Sequence, residues 1–349
     1  MSIPPIDSDY MIQQLTGLLN TPSPTGFTAA ALEYVTHSLE AFPGLSLART
    51  RKGGLLAGWP GQHSDRPRAL TAHFDTLGAM VKEIKDNGRL QLSQIGGYAW
   101  NTVEGEGCTV FSADGHRVRG ALLFEKASAH VFREQVSEGK RSAESMEVRL
   151  DLRTDSADET RDLGIAVGDF VAFDPRVEVA NGFIRSRHLD DKAGVACLLA
   201  TLKGLQDAGL TPAQKTYLYF SNYEEVGHGA ASGIPAEVVE LLVVDMAAVG
   251  KGQASDEFHS TLCVKDSNGP YHYELSRRLR SLAEREKIAF KVDIYPYYGS
   301  DGGAYWSAGA DAAVGLIGPG VDASHNYERT HLDALIATTQ WIMAYLLDK

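Results

Sequence analysis

Cysteine is scarce: the chain has three, Cys108, Cys197 and Cys263, among 349 residues. They are odd in number, far apart and set in apolar surroundings, so no disulfide framework or CxxC metal site is expected. That usage suits a reducing compartment. Positive charge is short as well. Lys and Arg number 33 against 45 Asp and Glu, for a formal net charge of -12; nucleic acid and anionic membranes want a basic face and are poor partners for such a surface. No apolar run reaches the length of a membrane span. The opening MSIPPIDSDYMIQQL has no basic segment followed by an apolar one, so no signal peptide is expected and the location is read as cytoplasmic. Internal repeats and low-complexity segments are also missing. What remains is an ordinary globular composition, in a chain long enough for two domains or one core with an insertion.

The texture of the sequence changes twice. Asp9 to Leu19 and Thr28 to Leu39 read as amphipathic helices, with Ser8 and Thr28 as N-caps, and RALTAHFD follows as an apolar strand. Residues 78–181 then hold short alternating segments, AMVKEI, RLQLSQI, CTVFSA, HRVRGALLF, MEVRLDL and DFVAFD, separated by turns such as DNG and ADG. That spacing predicts a small antiparallel barrel. From DDKAGVACLLATLKGL onward helices and strands alternate again, which predicts a mainly parallel α/β sheet covered by helices on both faces. The economical organisation is one α/β domain, residues 1–77 and 182–349, interrupted by a barrel at 78–181.

Five stretches gather Asp, Glu and His where strands are expected to end: AHFD (His73, Asp75), HLDDK (Asp190, Asp191), YEEVG (Glu224, Glu225), VVD (Asp245) and SHNYERTH (His325, His331). Each alone has a plain structural explanation. Asp190 or Asp191 could cap a helix, and Asp245 could be a turn residue. Together, at the carboxyl ends of strands in one sheet, they outline a crevice where ligands bind. Carboxylates crowded there repel one another unless a cation lies among them. Imidazole plus carboxylate donors, with no thiolate, suit Zn²⁺ or a similar first-row ion. Two such ions need a bridging carboxylate, and Asp190 suits that place. Asp75, two residues beyond His73 on an extended strand, is placed to accept the second ring N–H of that histidine.

The stretches AHFDTLGAMVKEIKDNGRLQLSQIGGY, LGIAVGDFVAFDP, HLDDKAGVACLL, EEVGHGAASG and SDGGAYW resemble the M42 family of dinuclear metallo-aminopeptidases, the tetrahedral (TET) or glutamyl aminopeptidase-like enzymes. The likeness is collinear from near the N-terminus to the last helix. It implies an α/β zinc-peptidase-like catalytic domain interrupted by a β-barrel dimerisation domain. It further implies hydrolysis of N-terminal residues from short peptides by two divalent ions, Zn²⁺ or Co²⁺, with Mn²⁺ also accommodated. Carried over residue by residue, His73, Asp190, Glu225, Asp245 and His325 resemble the metal ligands. Glu224 resembles the general base, and Asp75 stands behind His73. Asp301 in GSDGGAYW falls near the active site with its role open. The likeness also implies a homo-oligomer, a dimer through the barrel or a tetrahedral dodecamer.

Some positions depart from the family pattern. Thr76 stands where many members have Glu, Asp191-Lys192 replaces Asn-Arg, and SHNYERTH replaces a His-Ser-Pro-x-Glu stretch, which leaves His331 as an alternative to His325. A divergent branch is expected, with its own substrate preference. A related metal-dependent deacylase or carboxypeptidase is the rival enzyme reading; such relatives resembling the M20 family insert their extra domain after the Glu-Glu pair, whereas here it falls between His73 and Asp190. A non-catalytic structural homologue would lack ligands or the base, and this sequence lacks neither.

Overall fold

Four parallel strands form the centre of the larger of two units in the computed structural model, which describes residues 3–349. The larger unit ends its first segment at Asp75 and resumes at Arg176; the other is Thr76–Pro175. Among the described residues no helix is long and apolar enough to cross a membrane.

The central strands lie in the order Gln214–Ser221, His63–His73, Glu240–Val244, Ala313–Asp322. Their register sets Ser221 beside His73, Val243 beside Thr71 and Ile317 beside Val244, so the carboxyl ends finish close to one level. Antiparallel strands extend the sheet on both sides, Leu55–Trp59 next to Gln214–Ser221 and Ser260–Asp266 next to Ala313–Asp322. The sheet is therefore mixed around a parallel core, as the sequence predicts. Alternate residues of each central strand enter different cores, as the period of two requires. Leu70, Ala72, Leu218, Phe220, Leu242 and Val244 pack with helices Leu189–Asp207 and Leu332–Leu347. Ala69, Tyr219, Leu241 and Val243 enter a second cluster with Tyr305 and Tyr295. Burial on both faces explains why these strands read as continuous apolar runs.

The unit Thr76–Pro175 is a closed antiparallel barrel of six strands, Gly78–Ile84, Leu90–Ile95, Met146–Leu150, Arg117–Phe124, Gly107–Phe111 and Phe170–Phe173, in that order around the ring. Each corresponds to one of the six alternating segments in the sequence. Cys108, Val110, Leu122, Met146, Val148 and Val171 fill its interior. Closure leaves no edge strand for unwanted pairing.

Two expected caps differ. Ser8 is the first residue of its helix, and Asp7 accepts the Tyr10 N–H at 2.9 Å. Thr28 occupies the cap position of helix Ala29–Glu40 but makes no capping hydrogen bond with its side chain.

Candidate metal and catalytic centre

Every central strand delivers a site residue from its carboxyl end. His63–His73 ends on His73, Gln214–Ser221 runs on to Glu224 and Glu225, Glu240–Val244 into Asp245, and Ala313–Asp322 toward His325. Asp190 arrives from a fifth direction, at the start of Leu189–Asp207. There Asp190 and Asp191 keep non-helical dihedrals, so neither opens the helix as an ordinary cap. Gly318 allows the chain to close here: a Cβ on it would lie 1.7 Å from the Asp245 carbonyl oxygen. Three non-glycine residues beside the site, His188, Tyr223 and His325, adopt left-handed backbone with φ of 72°, 74° and 63°. Such conformations persist where surrounding structure over-determines them, and they cluster at functional sites.

Asp190 lies at the middle of the cluster. Its Oδ1 is 3.0 Å from His73 Nε2 and its Oδ2 is 3.3 Å from His325 Nε2. His325 Nε2 also lies 3.6 Å from Glu225 Oε2, and His73 Nε2 lies 3.7 Å from Glu224 Oε2. Donor atoms of His73, Asp190 and Asp245 fall within 4.8 Å of one another, as do those of Asp190, Glu225 and His325. The two sets share Asp190. His331 stands elsewhere: it accepts the Asp333 N–H at 3.1 Å to cap the final helix, and it packs against Phe183 and Phe258.

The setting of Asp75 differs from the expected one. The ring Nδ1 of His73 is 3.0 Å from the Asp75 carbonyl oxygen, while the carboxylate oxygen is 3.6 Å away. Its carboxylate instead accepts from the Thr25 hydroxyl at 2.6 Å and from the backbone N–H groups of Glu224 and Glu225 at 3.2 and 3.4 Å. One buried carboxylate thus fixes the turn that presents both glutamates. Asp301 acts alike from another side, accepting from Thr71 and Ser221 and, at 2.6 Å, from the Ala230 N–H.

Other residues support the centre in ways to which the sequence assigned no role. Glu328 accepts the Asp190 N–H at 3.1 Å and the His325 N–H at 3.0 Å, tying the shared carboxylate to the second histidine. It lies within SHNYERTH, three residues after His325, where an acid next to a ligand was the available signal. Asp191 accepts the His73 N–H at 3.4 Å and the Gly194 N–H at 3.1 Å. Lys192 is wholly buried and donates to the carbonyls of Leu18 and Thr21 at 3.0 and 2.8 Å; burial lowers its pKa to about 7.

The electrostatics express the crowding. Burial, followed by the nearby Asp190, raises Asp245 to about 7 and Glu225 well above the usual carboxylate range. Burial also pushes Glu224 well up, reinforced by Asp245, Asp301 and Glu225. His73 is held well above its ordinary value: burial opposes the charged ring, but Asp190, Glu224, Asp245 and Asp75 outweigh it. Three acids and two imidazoles, arranged as two donor sets with Asp190 in common, match the nitrogen and oxygen ligation that borderline divalent ions prefer. The residues fit such ions. A cavity of about 700 Å³ opens from this cluster, within the size range of small-ligand sites.

Comparison with known proteins finds likenesses in sequence and in fold. The profile described as M42 glutamyl aminopeptidase matches residues 53–341. YhfE of Bacillus subtilis (strain 168), which is named as an aminopeptidase on provisional grounds, is 48% identical over 330 residues, covering 94% of this chain and 95% of its own. Among solved structures, aminopeptidase APDkam598 from the archaeon Desulfurococcus kamchatkensis superposes with a TM-score of 0.87 at 21% identity, covering 98% of this chain and 96% of that one. The TET1 peptidase of Pyrococcus horikoshii, which assembles into a tetrahedron or a large octahedral shell, gives a TM-score of 0.84 at 21% identity, over 97% and 100% of the two chains. At such identities these structures speak for the fold.

Proposed function

Because this chain belongs to the M42 glutamyl aminopeptidase family, we propose that it is a peptide hydrolase that removes the N-terminal residue of short peptides at a centre for two divalent ions. The observation that carries the dinuclear reading is the sharing of Asp190 between two three-residue donor sets. His73, Asp190 and Asp245 would hold one ion and Asp190, Glu225 and His325 the other, zinc or cobalt by donor type, with manganese also accommodated. The ions supply Lewis acidity to a water and to the scissile carbonyl when bound.

The chain's own groups do the rest. Glu224 is the general base: its carboxylate receives a proton from the attacking water and returns it to the leaving amine. Asp75 serves this step by position, since its carboxylate receives the backbone N–H groups of both glutamates and keeps Glu224 and Glu225 in separate places. The neighbouring residues thereby divide their labour, Glu225 as ligand and Glu224 free to move a proton. In a Glu224→Gln protein, elemental analysis is expected to find two ions per chain while kcat falls by about 10²–10⁴-fold. Full activity in that variant excludes the assignment.

The reading extends to assembly and location. The chain is proposed to pair through the unit Thr76–Pro175, whose surface carries the exposed apolar side chains Val131 and Val167. A cytoplasmic location is supported by three cysteines that are buried free thiols.

A further inference from the structure

The family description names glutamate, yet the cavity of this chain offers little to hold one. Beyond Asp190, Glu224, Glu225, Asp245 and His325, none of the described residues that line it is lysine, arginine or a carboxylate. Much of the remaining wall comes from helix Asp301–Ser307 and the segment before it. Gly303, Ala304 and Ser307 line the cavity and fall at i, i+1 and i+4, on one helical face. The large groups of the same helix turn elsewhere. Tyr305 is buried in the core cluster behind it, Trp306 gives its indole N–H to the Ala312 carbonyl at 2.8 Å, and the Asp301 carboxylate is taken by Thr71, Ser221 and the Ala230 N–H. Tyr297 and Tyr298 add aromatic surface. Asn268 adds a neutral amide close to the helix, since a Cβ on Gly303 would lie 2.7 Å from its Nδ2. The other lining histidine, His228, stacks on Tyr223 with ring centroids 5.2 Å apart.

Building on the aminopeptidase reading above, we propose that this cavity is the subsite for the side chain of the substrate's first residue. It accepts an uncharged apolar or aromatic group such as leucine or phenylalanine, and it selects against both glutamate and lysine. The helix face of small residues provides room, and burial of apolar surface provides affinity. A carboxylate or ammonium entering the same space loses its water and finds no lysine, arginine or carboxylate partner outside the metal and catalytic cluster, which is unfavourable. Partnerless charge of this kind is a strong discriminator between substrates.

The test uses the full metal-loaded chain with the p-nitroanilides of alanine, leucine, phenylalanine, glutamate and lysine. Calorimetric titration with the corresponding free amino acids runs in parallel. The kcat/KM for leucine or phenylalanine is expected to be at least tenfold above that for glutamate and lysine, with the same order in the dissociation constants. Ala304→Lys and Ser307→Lys each place an ammonium on the cavity face, and Ser307 is exposed, so the fold tolerates change there. Either variant is expected to raise the glutamate-to-leucine ratio of kcat/KM at least tenfold. Glutamate or lysine leading in the parent protein, or an unchanged ratio in both variants, overturns the inference. If calorimetry keeps the order but no substrate is cleaved, the aminopeptidase reading fails and the subsite stands; loss of both overturns both.

Discussion

Single carboxylates do most of the positioning around the centre. Glu328 holds Asp190 and His325 through their backbone N–H groups, one on each of its oxygens. A Glu328→Gln protein keeps one acceptor and turns an N–H₂ group toward the other N–H. Its affinity for the metal is expected to fall about 10–100-fold, the usual effect of losing a group that orients a ligand. Chelator competition measures this, and unaltered affinity assigns Glu328 to the fold alone. The five acidic and histidine stretches were legible only together, because each alone has an ordinary explanation as a cap or a turn and five in one α/β frame do not. Asp75 was legible as a candidate beside His73 but not in its partners. A two-residue offset on a strand sets direction, yet it says nothing of the turn containing Glu224, which arrives from a strand 140-odd positions later. Thr25 and Glu328 gave weaker signals still, because a residue that holds a carboxylate or a backbone group in place needs no motif.

Elements with strong periodicity were read well. The central strands, the six barrel strands and the long helices all appear where alternation or an amphipathic pattern places them. The short helix Asp301–Ser307 was missed, since its own residues DGGAYWS include two glycines, each costing roughly 1 kcal/mol of helix propensity. Its formation depends on Asp301 being held by three donors and Ser300 accepting the Gly302 N–H at 3.1 Å. Strands Ser46–Arg49, Leu55–Trp59 and Ser260–Asp266 were also unread, because short or outer strands lack a clear pattern. Within the barrel, strand Met146–Leu150 carries the buried Glu147, which accepts from Lys85 at 2.8 Å and from Arg89. Burial alone would raise its pKa, but those two cations more than offset it and hold the carboxyl below its ordinary value. A folded pKa beneath the unfolded one contributes stability above about pH 4, and that contribution is lost as pH falls through the folded value. Glu147→Gln is therefore expected to cost about 1.5–3 kcal/mol at pH 7. The gap in melting temperature between the two proteins should close toward pH 3; a gap that stays constant with pH removes the ion pairs as its cause.

At the scale of the molecule, the alternation of helix and strand announced the α/β unit and its break announced the insertion. What sequence texture could not convey is which surface would carry the proposed pairing, because an interface is written in shape as much as in composition. Val167 is 67% exposed, a large apolar group left mostly uncovered by its own chain. Light scattering is expected to give a mass above that of one chain for the parent protein and a lower one for Val167→Glu. A monomeric parent, or an unchanged mass, argues against pairing through that surface. The divided α/β unit also has a consequence for synthesis. Strand His63–His73 pairs on one side with Gln214–Ser221 and on the other with Glu240–Val244, and both are encoded after the barrel. At about 5–20 residues added per second, His73 leaves the ribosome roughly ten to fifty seconds before His325. Throughout the making of the barrel the strand has neither neighbour, and its apolar half must be kept from other chains. The same interval is a safeguard: no active centre can exist on a nascent chain until nearly all of it has emerged.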